Sequence, residues 1–158
     1  MHPRADEFAA RARERYGLDV DVREFPEGTK TAADAADAVG CEVGQIASSL
    51  VFDVGGDLVV VVTSGANRVS EAKLAAYFDV APDAVTMADA DVVRETLGWA
   101  IGGVPPLCHE TDLPALFDET LTTYDTVWAA AGTPEAVFPV SPDELLSLSG
   151  ATPADVAE

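Results

Sequence analysis

Residues Ser48 to Gly65 read SSLVFDVGGDLVVVVTSG, and that stretch decides what the rest of the chain can be. An apolar run ends at the pair Gly55 and Gly56 and resumes as LVVVV, Leu58 to Val62, the pattern of two strands joined by a two-residue turn. Unbroken β-branched residues suit strands covered on both faces, so the hairpin is expected at the centre of a sheet. The aliphatic run is far short of the roughly 20 residues of a membrane helix. The start, MHPRADEF, is polar rather than signal-like. A soluble, cytoplasmic protein with no membrane partner is therefore expected.

Working outward, Ala5 to Gly17 carries Phe8, Ala12 and Tyr16 at helical spacing with a glycine stop, and a short strand is expected around Val20 to Phe25. TAADAADAV begins with Thr31 as a cap, Asp34 three residues on, and Gly40 to end the helix. After the hairpin, SEAKLAAYF has Ser70 as a cap and Leu74, Tyr77 and Phe78 on one face. A second short helix spans Asp89 to Leu97, stopped by Gly98. Strands are expected at Ala115 to Phe117, Thr126 to Ala130 and Ala136 to Val140, then a final helix at Pro142 to Ser147 capped by Ser141. Strands interspersed irregularly with helices predict an α/β fold: a mixed β-sheet or partly closed barrel with surrounding helices, in one domain over residues 1–158.

The charge balance is extreme. Twenty-eight acids against nine bases give a formal charge of -19, and Lys30 and Lys73 are the only lysines. Acid excess spread evenly, without a tail, resembles the haloarchaeal type of composition, in which carboxylates keep a protein hydrated in molar salt. Self-repulsion among them destabilises a fold in dilute buffer. At about 1 M salt the screening length shrinks to ~3 Å. An anionic partner is therefore not excluded.

Several chemistries find no support. Cys41 and Cys108 make no disulfide framework, and with only His2 and His109 there is no zinc-site spacing. Cys108 beside His109 is a poor nucleophile and base, since neighbours on an extended segment face opposite ways; a buried thiol and a surface imidazole are expected instead. No phosphate-binding fingerprint is present, and no cofactor is implied. What stands out is Ile101 to Glu110, IGGVPPLCHE. Glycines allow close approach and prolines fix φ and remove donors, which together describe a rigid loop with chosen N–H groups left bare.

The order TAADAADAVG, QIASSLVF, VVVVTSGANRVSEAKLAAYF, ETLGWAIGGVPPLCH and GTPEAVFPVSPDELLSLSGA resembles the YbaK-like aminoacyl-tRNA deacylases. The same domain occurs as the editing insertion of bacterial prolyl-tRNA synthetases. The resemblance runs from about Thr29 to Val156 and is most specific at Gly102-Gly103-Val104-Pro105-Pro106, preceded by Gly98 and Trp99. It implies a pocket for the 3′ end of a tRNA with its attached amino acid. Gly102 and Gly103 would stabilise the reacting carbonyl, Val104, Pro105 and Pro106 would shape the loop, and His109 just beyond would line the site. It also implies that a ribose hydroxyl of the tRNA helps activate water.

One departure matters. Where the family usually carries lysine before the Ser/Thr-Leu of its central strand, this chain has Ser48, a donor without charge, followed by Ser49. Lys30, just before Thr31, is the first candidate to supply the missing cation; Gly65 and Arg68 lie in a loop that the resemblance places near the pocket, and Lys73 reads as a solvated helix residue. Three functions stay open: a trans-acting deacylase of mischarged tRNA, a non-catalytic domain binding an aminoacyl or similar small ligand, and a hydrolase of another small ester or thioester. A basic patch beside the GGVPP pocket would favour tRNA, and a ring of carboxylates another ligand.

Overall fold

The hairpin forms, and the remaining elements gather around it. The computed structural model describes residues 2–25 and 31–158. In chain order the elements are α1 (Pro3–Tyr16), β1 (Arg23–Glu24), α2 (Ala32–Val39), β2 (Ile46–Val54), β3 (Asp57–Ser64), α3 (Glu71–Phe78), β4 (Val85–Met87), α4 (Ala90–Leu97), β5 (Ala115–Asp118), β6 (Val127–Ala130), β7 (Ala136–Val140), α5 (Pro142–Ser149) and β8 (Thr152–Ala154). The strands make one open mixed sheet in the order β1-β7-β6-β2-β3-β5-β8, with β4 also paired to β2. Of the two expected architectures, the open sheet is the one observed.

Gly55 and Gly56 both take positive φ at the hairpin tip, the left-handed geometry that a two-residue turn requires. Val59 to Val62 are all buried, as expected for a strand with neighbours on both sides and cover on both faces. Behind one face, Ala47, Val51, Val60 and Val62 pack with Phe8 of α1, Leu97 of α4, Trp99 and Val104. Behind the other, Phe52, Val59 and Val61 pack with Leu74 of α3.

Helix boundaries follow local chemistry. The hydroxyls of Thr31, Ser70 and Ser141 accept from the N–H groups of Asp34, Lys73 and Glu144 at 3.1, 3.1 and 3.2 Å. Each such cap contributes about 1 kcal/mol.

Two expectations are corrected, and two strands were not foreseen. The strand at Val20 to Phe25 shrinks to Arg23–Glu24, because β7 offers register partners only there. Two three-residue strands, β4 and β8, are too short to carry a periodic signal. On α3, Leu74 is buried but Tyr77 is 52% exposed and stands edge-on to Phe78 rather than sharing the buried face. Among the described residues, no helix is long and apolar enough to cross a membrane.

Candidate functional site

The site arises where the sheet splits. Along β2, β6 pairs only with Ile46 and Ala47, and β4 pairs only from Phe52 to Val54. Between them, β2 has β3 on one side and, among the described residues, no strand on the other. In an antiparallel pair the main-chain groups alternate in direction. Ile46 C=O accepts from Gly65 N–H on the β3 side, whereas Val51 C=O accepts from Ala88 N–H on the opposite side. By that alternation Ser49 turns its N–H and C=O into the split. Its hydroxyl is buried as well, and it is the one buried side-chain oxygen or nitrogen without a hydrogen-bond partner among the described residues. A buried polar group left unpaired costs about 1–3 kcal/mol, so an unspent hydroxyl in a cavity wall is a feature to be explained by what enters the cavity.

The loop after α4 forms the facing wall. Ala100 to Gly103 is a tight turn, closed by Gly103 N–H donating to Ala100 C=O at 3.0 Å with Gly102 at φ 91°. The Gly103 donor is therefore spent. The N–H groups of Gly102 and Val104 meet no acceptor among the described residues. Gly103 is required for a different reason: a Cβ there would lie 2.6 to 2.9 Å from the backbone of Thr133. Its close approach is to the β6–β7 turn, not to a ligand. Gly132 in that turn is equally tight, pressed between Arg4 C=O and the Trp99 ring.

Helix α1 holds the loop from behind. Arg4, Phe8, Arg11 and Arg15 form one helical stripe. Arg4 donates to Gly98 C=O, Arg15 donates to His109 C=O at 3.1 Å, and the Tyr16 hydroxyl accepts from Cys108 N–H at 3.3 Å. The guanidinium groups of Arg4 and Arg11 lie 4.2 and 5.4 Å from the Trp99 ring centroid, and both pair with Glu7. A basic stripe thus flanks the loop, partly neutralised by that carboxylate.

Split and loop together enclose a cavity of about 580 Å³. Its wall is mostly apolar, from Ile46, Val51, Val93, Trp128, Ala130 and Val137 among others, with Met87 and Ile101 exposed at its border. Of the residues singled out in the sequence, the cavity brings together Thr31, Ser48, Ser49, Gly102 and Val104. Ser48 and Ser49 face opposite sides of the strand, and both reach the cavity because the sheet is open beside them.

The other candidates lie elsewhere. Gly103, Pro105 and Pro106 are buried in the loop's packing and are not on the wall. Gly65 sits behind it, where a Cβ would meet Val43 C=O and the Ala32 side chain. Arg68 is exposed and off the wall, and Lys73 is tied to Asp155 and Ala157 C=O at 2.8 and 2.6 Å. Lys30 lies outside the described residues. His109 is also off the wall; its Nε2 is 2.6 Å from Pro105 C=O, so the expected surface imidazole is half-buried and braces the loop. Burial holds its pKa below the usual imidazole value. Cys108 is buried at φ 65°, not on an extended segment, and burial pushes its thiol up to about 11. Neither side chain is placed as nucleophile or base. Among the described residues, no three His, Cys, Asp or Glu side chains converge as a metal site.

Sequence reasoning missed Met87, Trp128 and the β6–β7 turn, including Glu135. Met87 and Trp128 lie on short strands with nothing local to mark them as wall residues, and a turn reads only as Gly and Pro until its partner is known. It also missed Asp118, a buried carboxylate that holds the Ser64 to Asn67 turn by accepting from Ser64 N–H and Asn67 Nδ2, both at 3.0 Å.

Comparison with known proteins places this geometry. Residues 26–148 match the family model described as "Aminoacyl-tRNA editing domain". The chain is 31% identical over 136 residues to uncharacterized protein YwhH of Bacillus subtilis (strain 168), covering 85% of each. It is 28% identical over 92 residues to the proline--tRNA ligase of Lysinibacillus sphaericus (strain C3-41), covering 58% of this chain but only 16% of the ligase. A crystal structure of a proposed trans-editing enzyme for prolyl tRNA synthetase superposes with a TM-score of 0.93 at 43% identity, over 100% of this chain and 99% of that one.

Proposed function

The chain belongs to the family of aminoacyl-tRNA editing domains, and on that footing we propose that it is a trans-acting deacylase that hydrolyses the ester between an amino acid and the 3′ end of a mischarged tRNA. The observation that carries this reading is the pairing of unspent polar groups across one apolar cavity: the Ser49 hydroxyl on one wall, the Gly102 and Val104 N–H groups on the other. Ester hydrolysis places negative charge on the carbonyl oxygen as water adds. Fixed N–H groups stabilise that charge without reorganising, and one such donor is typically worth about 3 kcal/mol in the transition state. The hydroxyls of Ser48 and Ser49 are suited to hold the ribose end of the ester, as donors or acceptors. A neighbouring ribose hydroxyl then serves to orient the attacking water. With Cys108 and His109 held in the packing behind the loop, the reading needs no covalent intermediate on the protein.

The partner is the tRNA 3′ end, and the acidic composition fits a setting of molar salt, where the repulsion of -19 charges is screened. A second reading has one observation in its favour. Ser48 brings no charge at the position where the resemblance implies a lysine, which suits a domain that binds an aminoacyl group without hydrolysing it. A deacylation screen over a panel of aminoacyl-tRNAs in multimolar KCl separates the two. Release of amino acid from at least one member, faster than in buffer alone, supports the enzyme. Retention of every ester together with measurable binding supports the binding domain.

A further inference from the structure

We propose that Glu135 recognises the α-ammonium group of the aminoacyl ester. The inference rests on the deacylase reading above and names the part of the substrate that the rest of the cavity leaves unread.

Among the described residues of the wall, Glu135 alone carries a charge. An unpaired carboxylate is unremarkable in a chain with twenty-eight acids and nine bases. One bordering an otherwise uncharged cavity is different, because it sets the sign of the charge that the cavity accepts. The Glu135 side chain makes no ion pair or hydrogen bond among the described residues, although its main chain is well held: its N–H points to Thr133 Oγ1 at 3.5 Å and its C=O accepts from Phe25 N–H at 2.8 Å. The turn that bears it abuts the loop, with the Thr133 backbone against Gly103 and the Pro134 ring 3.3 Å from where a Gly102 Cβ would lie. Carboxylate and carbonyl-binding N–H groups therefore ride on one packed unit.

The chemistry of the ester asks for that combination. In an aminoacyl ester the carbonyl carbon is bonded to the Cα that carries the ammonium. A site with donors for the carbonyl oxygen must therefore meet a cation one carbon away. Peptidyl-tRNA and N-acylated esters carry the same carbonyl but no cation. A carboxylate beside the donors separates free aminoacyl esters from these, a distinction that apolar walls cannot make.

The test compares the wild type with Glu135→Gln at fixed KCl, on the panel member hydrolysed fastest and on its N-acetyl form. Glu135 is exposed, so the variant is expected to fold, and equal melting temperatures check this. The wild type should prefer the free amine, and Glu135→Gln should lose roughly tenfold in kcat/KM on that substrate, the gap between a charge-assisted and a neutral hydrogen bond. Its rate on the acetylated ester should stay the same. An equal fall on both substrates would mean that the carboxylate acts on water or on the fold, and no fall on either would remove it from the site; each overturns the inference and leaves the deacylase standing. Calorimetric binding of 3′-alanylamino-3′-deoxyadenosine and of its 3′-propionylamino counterpart, which lacks the amine, reads the same contact without catalysis. If the wild type hydrolyses nothing yet binds the amine-bearing amide more tightly than Glu135→Gln does, the deacylase fails and the recognition survives. Equal binding of the two amides by the wild type overturns the recognition.

Discussion

The guanidinium of Arg4 lies 4.2 Å from the centroid of the Trp99 ring and donates to the carbonyl of Gly98, so one side chain of the first helix both covers the tryptophan and ties down the start of the glycine-proline loop. Trp99 in turn donates from its ring nitrogen to Cys108 C=O at 2.9 Å, spanning the loop from beginning to end. Replacing Arg4 by alanine removes the stacking, the carbonyl bond and a partner of Glu7. We expect a loss of about 1–2 kcal/mol, read by urea unfolding. Trp99 emission should shift to the red and deacylation should slow. Arg4→Lys should restore little, because an ammonium cannot stack and fork in the same way.

The two loop glycines should respond differently. Gly103→Val drives a side chain into the Thr133 backbone and should destabilise the protein by about 2–3 kcal/mol, since neither segment can move without the other. The contact at Gly102 is milder, against the Pro134 ring, but its φ of 91° makes Gly102→Ala cost about 1 kcal/mol or more. Denaturant midpoints for the two variants check the order. A Gly103→Val protein as stable as the wild type would contradict the packing described here.

Much of this was legible in the sequence, and the failures have a common cause. The Gly55-Gly56 turn, the Thr31, Ser70 and Ser141 caps and the covered Val59 to Val62 strand are all set by residues within a few positions of one another, and all were read correctly. The candidate cavity was legible in part. Ser48, Ser49, Gly102 and Val104 meet at the cavity, but Glu135 and Trp128 come from a turn and strand whose approach depends on Gly103 and Gly132 packing tightly against distant backbone and ring atoms. His109 was assigned to the site by the resemblance, and its ring lies 2.6 Å from Pro105 C=O, off the cavity wall.

Salt should govern stability. With -19 formal charges, the melting temperature is expected to rise as KCl goes from 0.1 M to 3 M, because screening removes repulsion that the folded state concentrates. A scan that is flat over that range would contradict the halophilic reading.

Acid should act in two windows. Burial lowers the His109 pKa in the folded protein, so the unfolded chain binds the proton more readily; the associated stability is present above about pH 6.5 and is lost as pH falls from there through the folded value. For Asp118, burial pushes the pKa up, but hydrogen bonds from Asn67, Ser64 and Thr120 outweigh it and the net shift is downward. That stability is present above about pH 4 and disappears below it. Urea midpoints measured in 3 M KCl, where general repulsion is screened, should fall in both windows. His109→Gln should erase the upper one alone.

We propose above that the cavity between the split strand and the glycine-proline loop cleaves aminoacyl esters, using hydroxyls where a charged donor is absent. Single-turnover deacylation of the best panel substrate in multimolar KCl, by the wild type, Ser49→Ala and Ser48→Lys, measures that cleavage. The wild type should exceed spontaneous hydrolysis, and Ser49→Ala should be about tenfold slower, for one lost hydrogen bond in the transition state. Ser48→Lys should be roughly tenfold to a hundredfold faster, because it returns a charged donor to a pocket whose other parts are already arranged. Release no faster than in buffer from every aminoacyl-tRNA, by all three proteins, would rule out the deacylase and, where the esters are still bound, leave a domain that binds them without breaking them.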